Sequence, residues 1–291
     1  MKALKDVQPG ARSGAPVALP CGWPAGTTAH YRYERRQQDS RAPGLEQVAT
    51  ISPATLTVLG PDHLSLDIGL TEVTGPPHLL SPPWVTLSGF DPLPMELVLQ
   101  DAALVDVANA EELVPDLVRT ARATLHPDSP PAVLASLTAA YEDPANRTRL
   151  LLKEPSLLLG ALCMFMGDGE RIEDVTWVSG LSGGLKMRTI SIIEADIRQD
   201  EGTATYTFTN LSDPESVRRA VEEHLKTVNS AAGERSQIVA VAENQSVMIA
   251  VHSLADGLPI SVEATQTILV HVGLLQTRRE ERWRWTRLPA P

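Results

Sequence analysis

Apolar residues recur at every second position through most of this chain, and the runs are separated by glycine-marked turns. The pattern is clearest from Gln245 to Leu288, which predicts three consecutive antiparallel strands. Val247, Ile249 and Val251 alternate with smaller or more polar neighbours, and Ala255-Asp256-Gly257 marks a turn. Ile260, Val262, Ala264, Ile268, Val270 and Val272 then share one face, with Ser261, Glu263, Thr265 and Thr267 on the other. Gly273 interrupts the run, and Gln276 to Leu288 returns. The N-terminal part repeats the design. Thr27 to Arg35 sets Ala29, Tyr31 and Tyr33 against His30, Arg32 and Glu34. A second strand falls near Ala54 to Leu59, Gly60-Pro61-Asp62 turns the chain, and Leu64, Leu66, Ile68 and Leu70 alternate with polar residues. A period of two between such turns is the mark of a half-buried meander.

Gly75 to Pro83 holds four prolines in nine residues and cannot be a central strand, so it predicts a loop. Trp84 to Leu87, Met95 to Gln100 and Leu104 to Val107 are weaker strand candidates. The period then changes. Asn109, with Glu112 three residues on, resembles a capping box, and Leu113, Leu117, Val118, Ala121 and Leu125 repeat at helical spacing. Pro115 falls inside this run and predicts a late start or a kink. Pro130 to Tyr141 and Pro144 to Lys153 predict two further helices, each opened by a proline. Leu157 to Met166 predicts a fourth, stopped by Gly167-Asp168-Gly169. Strands resume at Ile172 to Val178, Leu185 to Arg198 and Thr203 to Thr209, and Asp213-Pro214-Glu215 opens one more helix with an apolar stripe from Val217 to Val228.

The predicted class is therefore α+β: a strongly curved antiparallel sheet, an open half-barrel, wrapped around a helical block. Residues 1–22 are expected to form a flexible lead-in, and residues 23–291 one curved-sheet domain with a helical insertion at about 109–167. No strand–helix alternation calls for a parallel sheet, and one-sided strands need helices to cover them.

Composition narrows the partners. With 25 basic and 36 acidic residues the net charge is −11, which disfavours nucleic acid and anionic membrane surfaces. The most apolar stretch, Leu157 to Met166, is about half the length needed to span a bilayer. Residues 1–20 hold no apolar core of a signal peptide. Two cysteines, Cys21 and Cys163, allow at most one internal disulfide, and the reading preferred here is two free thiols. No Cys-x-x-Cys, His-x-x-x-His or His-Glu-x-x-His pattern points to a metal, and no cofactor motif is present.

Leu19-Pro20-Cys21-Gly22-Trp23-Pro24-Ala25-Gly26, Leu181-Ser182-Gly183-Gly184 before a long strand, and Gly257-Leu258-Pro259-Ile260-Ser261-Val262-Glu263 with Glu281-Arg282 resemble a group of uncharacterised proteobacterial proteins. Many of those carry a secretory leader, and their architecture is similar to the LolA/LppX-type lipoprotein carriers. The resemblance implies a periplasmic or envelope protein whose half-barrel holds a lipid or other apolar molecule. It carries no catalytic residues with it.

Four constellations bear on chemistry. Gly180-Leu181-Ser182-Gly183-Gly184 matches the Gly-x-Ser-x-Gly elbow of serine hydrolases, but a strand rather than a helix is predicted after it, so a glycine-rich turn explains the residues better. Trp283 and Trp285 alternate with Arg282 and Arg284. Such interleaving can stack on single-stranded nucleic acid, yet Glu280, Glu281 and the net acidity favour a core-facing Trp pair backed by a solvated charge ladder. If that pair lines a cavity instead, Trp283, Trp285, Tyr206 and Phe208 are the residues that would wall a ligand site. His252 and His271 lie on strands expected to pair and would then be near neighbours, but two histidines alone make no metal site. Glu111-Glu112 and Glu222-Glu223 sit on helix surfaces. The function expected is a non-enzymatic binding protein with an apolar ligand in the concave face. The alternative is an envelope interaction protein with no small ligand, and the remote one is a hydrolase using Ser182.

Overall fold

The computed structural model describes residues 15–39, 47–75, 94–101, 103–125, 131–179, 186–232, 239–272 and 275–289. Strands β2 (Thr28–Asp39), β3 (Gln47–Gly60), β4 (His63–Ile68), β5 (Glu72–Thr74), β6 (Met95–Gln100) and β7 (Ala103–Val107) come first. Helices α1 (Val114–Thr124), α2 (Pro131–Glu142), α3 (Pro144–Leu151) and α4 (Lys153–Leu159) follow. Then come β9 (Arg171–Ser179), β10 (Lys186–Arg198), β11 (Thr203–Ser212), helix α5 (Pro214–Ala232), β12 (Val239–Ser253), β13 (Pro259–Val272) and β14 (Leu275–Arg287). Two short strands, β1 (Val17–Ala18) and β8 (Phe165–Met166), pair with each other apart from the rest.

The main sheet has twelve antiparallel strands in the order β7-β6-β4-β3-β2-β14-β13-β12-β11-β10-β9, with β5 attached to β3. It stays open, with β7 and β9 at its two ends. The α+β class expected from the alternation is what the chain forms. The order also explains the covering. The first and last long strands, β2 and β14, pair in the middle of the sheet. From there one meander winds outward to β7 and the other to β9. The connection from β7 to β9 must therefore travel from one end of the sheet to the other, and α1–α4 make up most of it. A helical block forced across a face buries that face. Tyr31, Tyr33, Leu56, Leu66, Leu97, Tyr206, Val262 and Trp285 join Leu117, Tyr141, Leu158 and Leu159 in one continuous core.

Several local expectations need correcting. Helix α1 begins at Val114, with Leu113 before it and no side-chain cap. Asn109 does not cap it. Its side chain instead accepts from the Glu96 N–H at 2.9 Å and donates to the Pro94 carbonyl at 2.8 Å, closing the start of β6. Pro115 explains the delay, because proline fits the first helical turn and obstructs an interior position. The fourth helix does not run over residues 157–166. Its segment begins earlier, as α4, and ends at Leu159. Cys163 then takes a left-handed conformation, with φ +56°, and Phe165–Met166 becomes strand β8. Within the lead-in, Val17–Ala18 is tied to Met166 and Phe165, and Leu19 is buried. Trp84 to Leu87 and Gly180 to Gly184 lie outside the described residues.

Strand β3 runs seven residues further toward the N-terminus than the pattern suggested, with Pro53 inside it. The Pro53 carbonyl accepts from Gly69 N–H at 2.9 Å, so its missing N–H faces the same side. On that side the neighbour changes from β4, pairing from Ala54, to β5, pairing from Ile51. The ladder to β2 loses nothing, and the proline occupies a break that already exists.

At Gly257 the backbone requires glycine. It takes φ +71° in the β12–β13 turn, and a Cβ there would collide with the Pro20 carbonyl. The segment carrying Pro20 is held against this turn by Trp23, whose indole N–H donates to the Asp256 carbonyl.

Candidate functional site

The covered face of the sheet can be read row by row from the strand register. One row runs Ile193, Phe208, Met248, Ala264, Trp283, Arg35 and Thr50. Its next neighbour on the same face runs Ser191, Asn210, Ser246, Gln266, Glu281 and Gln37. Helix α4 packs on the first row, where Met248 lies against Gly160 just past the helix end. Helix α5 packs further along the same face. Val217, Ala220 and Val221 meet Met187 and Ala242 in a second, smaller apolar cluster with Val270 at its margin. Asp213 caps α5 by accepting from the Ser216 N–H at 2.9 Å, which fixes where the helix starts.

Under α4 the face carries charge. The Arg35 guanidinium is fully buried and reaches Glu281 at 3.2 Å and Glu154 of α4 at 3.5 Å. Lys153 reaches the same Glu281 at 3.1 Å, and Arg279 bonds it as well. Burial opposes ionisation of Glu281, but Arg35, Lys153 and Arg279 overcome it and bring its carboxyl down to about 2. Glu154 goes the other way: burial pushes its carboxyl up, and the cations offset this only in part. Two carboxylates converge on one guanidinium, and Glu281 holds the extra cations. Trp283 walls the cluster, with the Lys153 ammonium 4.8 Å and the Arg35 guanidinium 5.8 Å from its ring.

Between the Met248 contact at the end of α4 and the Ala242 contact of α5 lies a cleft of about 320 Å³. That falls within the size range of small-ligand sites, roughly 300–1,000 Å³. Its lining is Thr176, Met187, Thr189, Ser191, Asn210, Ser212, Asn244, Ser246 and Gln266, with no charged residue among them. The floor is a hydrogen-bonded lattice. Ser191 donates to the Asn210 amide oxygen at 2.7 Å, and the Asn210 NH2 donates to the Ser246 hydroxyl at 3.3 Å. The Gln266 NH2 donates to the Asn244 oxygen at 3.1 Å, and Thr189 shares a hydrogen with Ser212 at 3.2 Å. A carboxamide offers two N–H groups and two acceptor lone pairs, so these bonds engage only part of each group's capacity. Chemically, the cleft presents neutral donors and acceptors, with Met187 as the apolar residue of its described lining.

No known protein family matches this chain. No curated protein matches it either. Among solved structures it is similar to one described as "Lipid-protein interactions in lipovitellin", with a TM-score of 0.46 and 10% sequence identity. The match covers 92% of this chain and 26% of that one, so the chain spans about a quarter of that protein's length.

The structure places the four aromatic candidates differently from one another. Trp285 and Tyr206 are fully buried and Trp283 nearly so, beneath the helical block. Trp285 stacks on Tyr33 with ring centroids 4.3 Å apart and meets Tyr31 edge-on at 6.4 Å. Phe208 is half-buried beside Met248, one register step from Asn210 and the cleft floor. His252 and His271 are not neighbours. They occupy opposite ends of their hairpin, His252 opposite Pro259 and His271 opposite Val241. His252 is buried, its Nδ1 shares a hydrogen bond of 2.9 Å with the Gly257 carbonyl, and its ring meets Tyr206 edge-on at 5.9 Å. Burial lowers its pKa, against the Gly257 bond and Asp256, so the ring braces the turn as a neutral group.

Sequence reasoning missed the cleft floor, although a signal was there. Along β11 the inward positions run Ala204, Tyr206, Phe208 and then Asn210, Ser212; along β10 they run Ile197, Ala195, Ile193 and then Ser191, Thr189. Along β12 they run Ala250, Met248 and then Ser246, Asn244. Three adjacent strands switch from apolar to polar at the same level of the sheet. A switch at one level marks a surface that no apolar element covers.

Proposed function

We propose that this chain is a non-enzymatic binding protein that holds an amphipathic ligand in the cleft between α4 and α5. The ligand's neutral polar groups sit on the floor formed by Ser191, Asn210, Ser246 and Gln266, and its apolar part lies along Phe208, Met248 and Met187. The observation that carries this reading is the lattice of neutral side chains on the covered sheet face, set between the Met248 contact at the end of α4 and the apolar contacts of α5. A charged head group would meet no counter-charge in the lining and would be disfavoured there. The resemblance to envelope lipid carriers points the same way. Trp283, Trp285 and Tyr206 then serve as the fixed wall behind the site.

Native mass spectrometry of the purified protein, repeated after solvent extraction, tests the proposal. A lipid-sized adduct lost on extraction is the expected result. Ser246→Trp, which places an indole in the middle of the floor, is expected to reduce adduct occupancy at least about tenfold while leaving the melting temperature within a few degrees. An adduct that survives Ser246→Trp at full occupancy, or a bare polypeptide mass in the wild type, would overturn it.

A second reading rests on the opposite face. Trp177 is 62% exposed and Val175 43% exposed on β9, which ends the sheet, and Leu211, Val247 and Ile249 are exposed beside them on the same side. Exposed apolar residues beside an open strand edge suit an interaction surface. This is the envelope interaction protein without a small ligand. A bare mass together with a partner lost on Trp177→Arg would favour it.

A further inference from the structure

The two cysteines are 142 positions apart in sequence, and the fold brings them together. Strands β1 and β8 pair Val17 with Met166 and Ala18 with Phe165, and the Leu19 N–H donates to the Met164 carbonyl at 3.0 Å. One more step along this ladder reaches Cys163 on one side and the Pro20-Cys21 segment on the other. The Cys163 thiol lies close enough to Cys21 for the two to interact, neither is in a disulfide, and Cys21 is exposed while Cys163 is half-buried. Cys163 also occupies a left-handed backbone position, φ +56°, just after a helical block, where glycine is the ordinary residue. A side chain kept at a strained position calls for a use of that side chain.

We propose that Cys21 and Cys163 form a redox modification site that closes to a disulfide by exchange with a low-molecular-weight disulfide such as oxidised glutathione. The exposed Cys21 thiolate attacks one sulfur of the oxidant, its S–S bond breaks, and one glutathione thiolate leaves. The Cys163 thiolate then attacks the Cys21 sulfur of the mixed disulfide, forms the protein bond and expels the second glutathione. The two cysteines give up two electrons and two protons, and the oxidant takes them up as two thiols. Burial, with the neighbouring Cys21, pushes the Cys163 thiol up to about 12, so the second step is slow at neutral pH and speeds up as pH rises. The bond would lock the lead-in, already stitched to the Asp256 turn through Trp23, onto the exit of the helical block.

The test uses the reduced full chain incubated with oxidised glutathione at mildly alkaline pH, then alkylated under denaturing conditions and weighed intact. The expected product has lost the mass of two hydrogens, takes up no alkylating agent, and yields a linked peptide containing both cysteines. Its melting temperature is expected to rise by about 5 °C or more, because the closed loop is long. Cys21→Ser, at an exposed position, is expected to fold normally and to lose the response to oxidant. A stable glutathione adduct on Cys21 with Cys163 still open to alkylation, or a dimer linked through Cys21, would overturn the assignment.

Discussion

Replacing Arg35 by methionine is expected to lower the unfolding free energy by about 3–5 kcal/mol, measured by urea denaturation at neutral pH. The methionine keeps most of the aliphatic stem, so the loss reports the charge rather than the volume. The guanidinium is the shared partner of Glu154 and Glu281, both of them buried. Glu281 would retain Lys153 and Arg279, whereas Glu154 would lose its ion-pair partner and have to take up a proton. The double variant Arg35→Met with Glu154→Gln is therefore expected to regain about half of the loss. The signs with pH follow from the two carboxyls. Glu281 is depressed from 4.5 to about 2, so it contributes on the order of 3 kcal/mol at neutral pH, and this is lost as pH falls through that interval. Glu154 is raised, so its favourable contribution is present below the ordinary carboxylate value and fades as pH climbs through its folded pKa. Glu154→Gln alone should be neutral or stabilising at neutral pH. A cost below about 1 kcal/mol for Arg35→Met would mean that the cluster is solvated, and that α4 does not seal this part of the sheet.

The sheet was legible because its signal is local. Alternation along β2, β11 and β13 needs no knowledge of neighbours, and the turns at Gly60-Pro61-Asp62 and Ala255-Asp256-Gly257 announce themselves. Three kinds of information were not local. The strand at Ala54 gives no sign of continuing through Pro53, and only the order of neighbours reveals that the missing N–H of Pro53 faces a gap between β4 and β5. Asn109 carried a capping signal, but a side chain with one donor group and one acceptor serves whichever backbone lies nearest, and that was the start of β6. Arg35 lay on the same face as Tyr31 and Tyr33, where arginine breaks the pattern, and its partners come from α4 and β14, far away in sequence. The candidate site behaves the same way. No single strand shows it, because Asn210 or Ser246 alone is an ordinary strand-end polar residue. It emerges when three strands are set in register and their polar positions fall at one level.

Truncating Trp285 to alanine is expected to cost about 3–5 kcal/mol, whereas Trp285→Phe should cost no more than about 1.5 kcal/mol, both read from urea midpoints. The first figure follows from position. Trp285 is fully buried where the two meanders meet, packed on Tyr33 and Tyr31 of the neighbouring strand, so its removal leaves a cavity at the centre of the sheet. The second follows from an imperfection. The Trp285 indole N–H has no hydrogen-bond partner among the described residues, nor has the Tyr33 hydroxyl, although both are buried. Phenylalanine keeps an aromatic ring against Tyr33 and removes one unsatisfied donor, and the second effect offsets part of the lost volume. The contrast between the two variants also bears on binding. A large loss for alanine with a small one for phenylalanine identifies Trp285 as packed wall, which confines any ligand to the cleft beside Phe208. A loss below about 1 kcal/mol for alanine would mean that the helical block sits loosely on this row, and the aromatic face from Tyr206 to Trp285 would become the surface on which to look for the ligand.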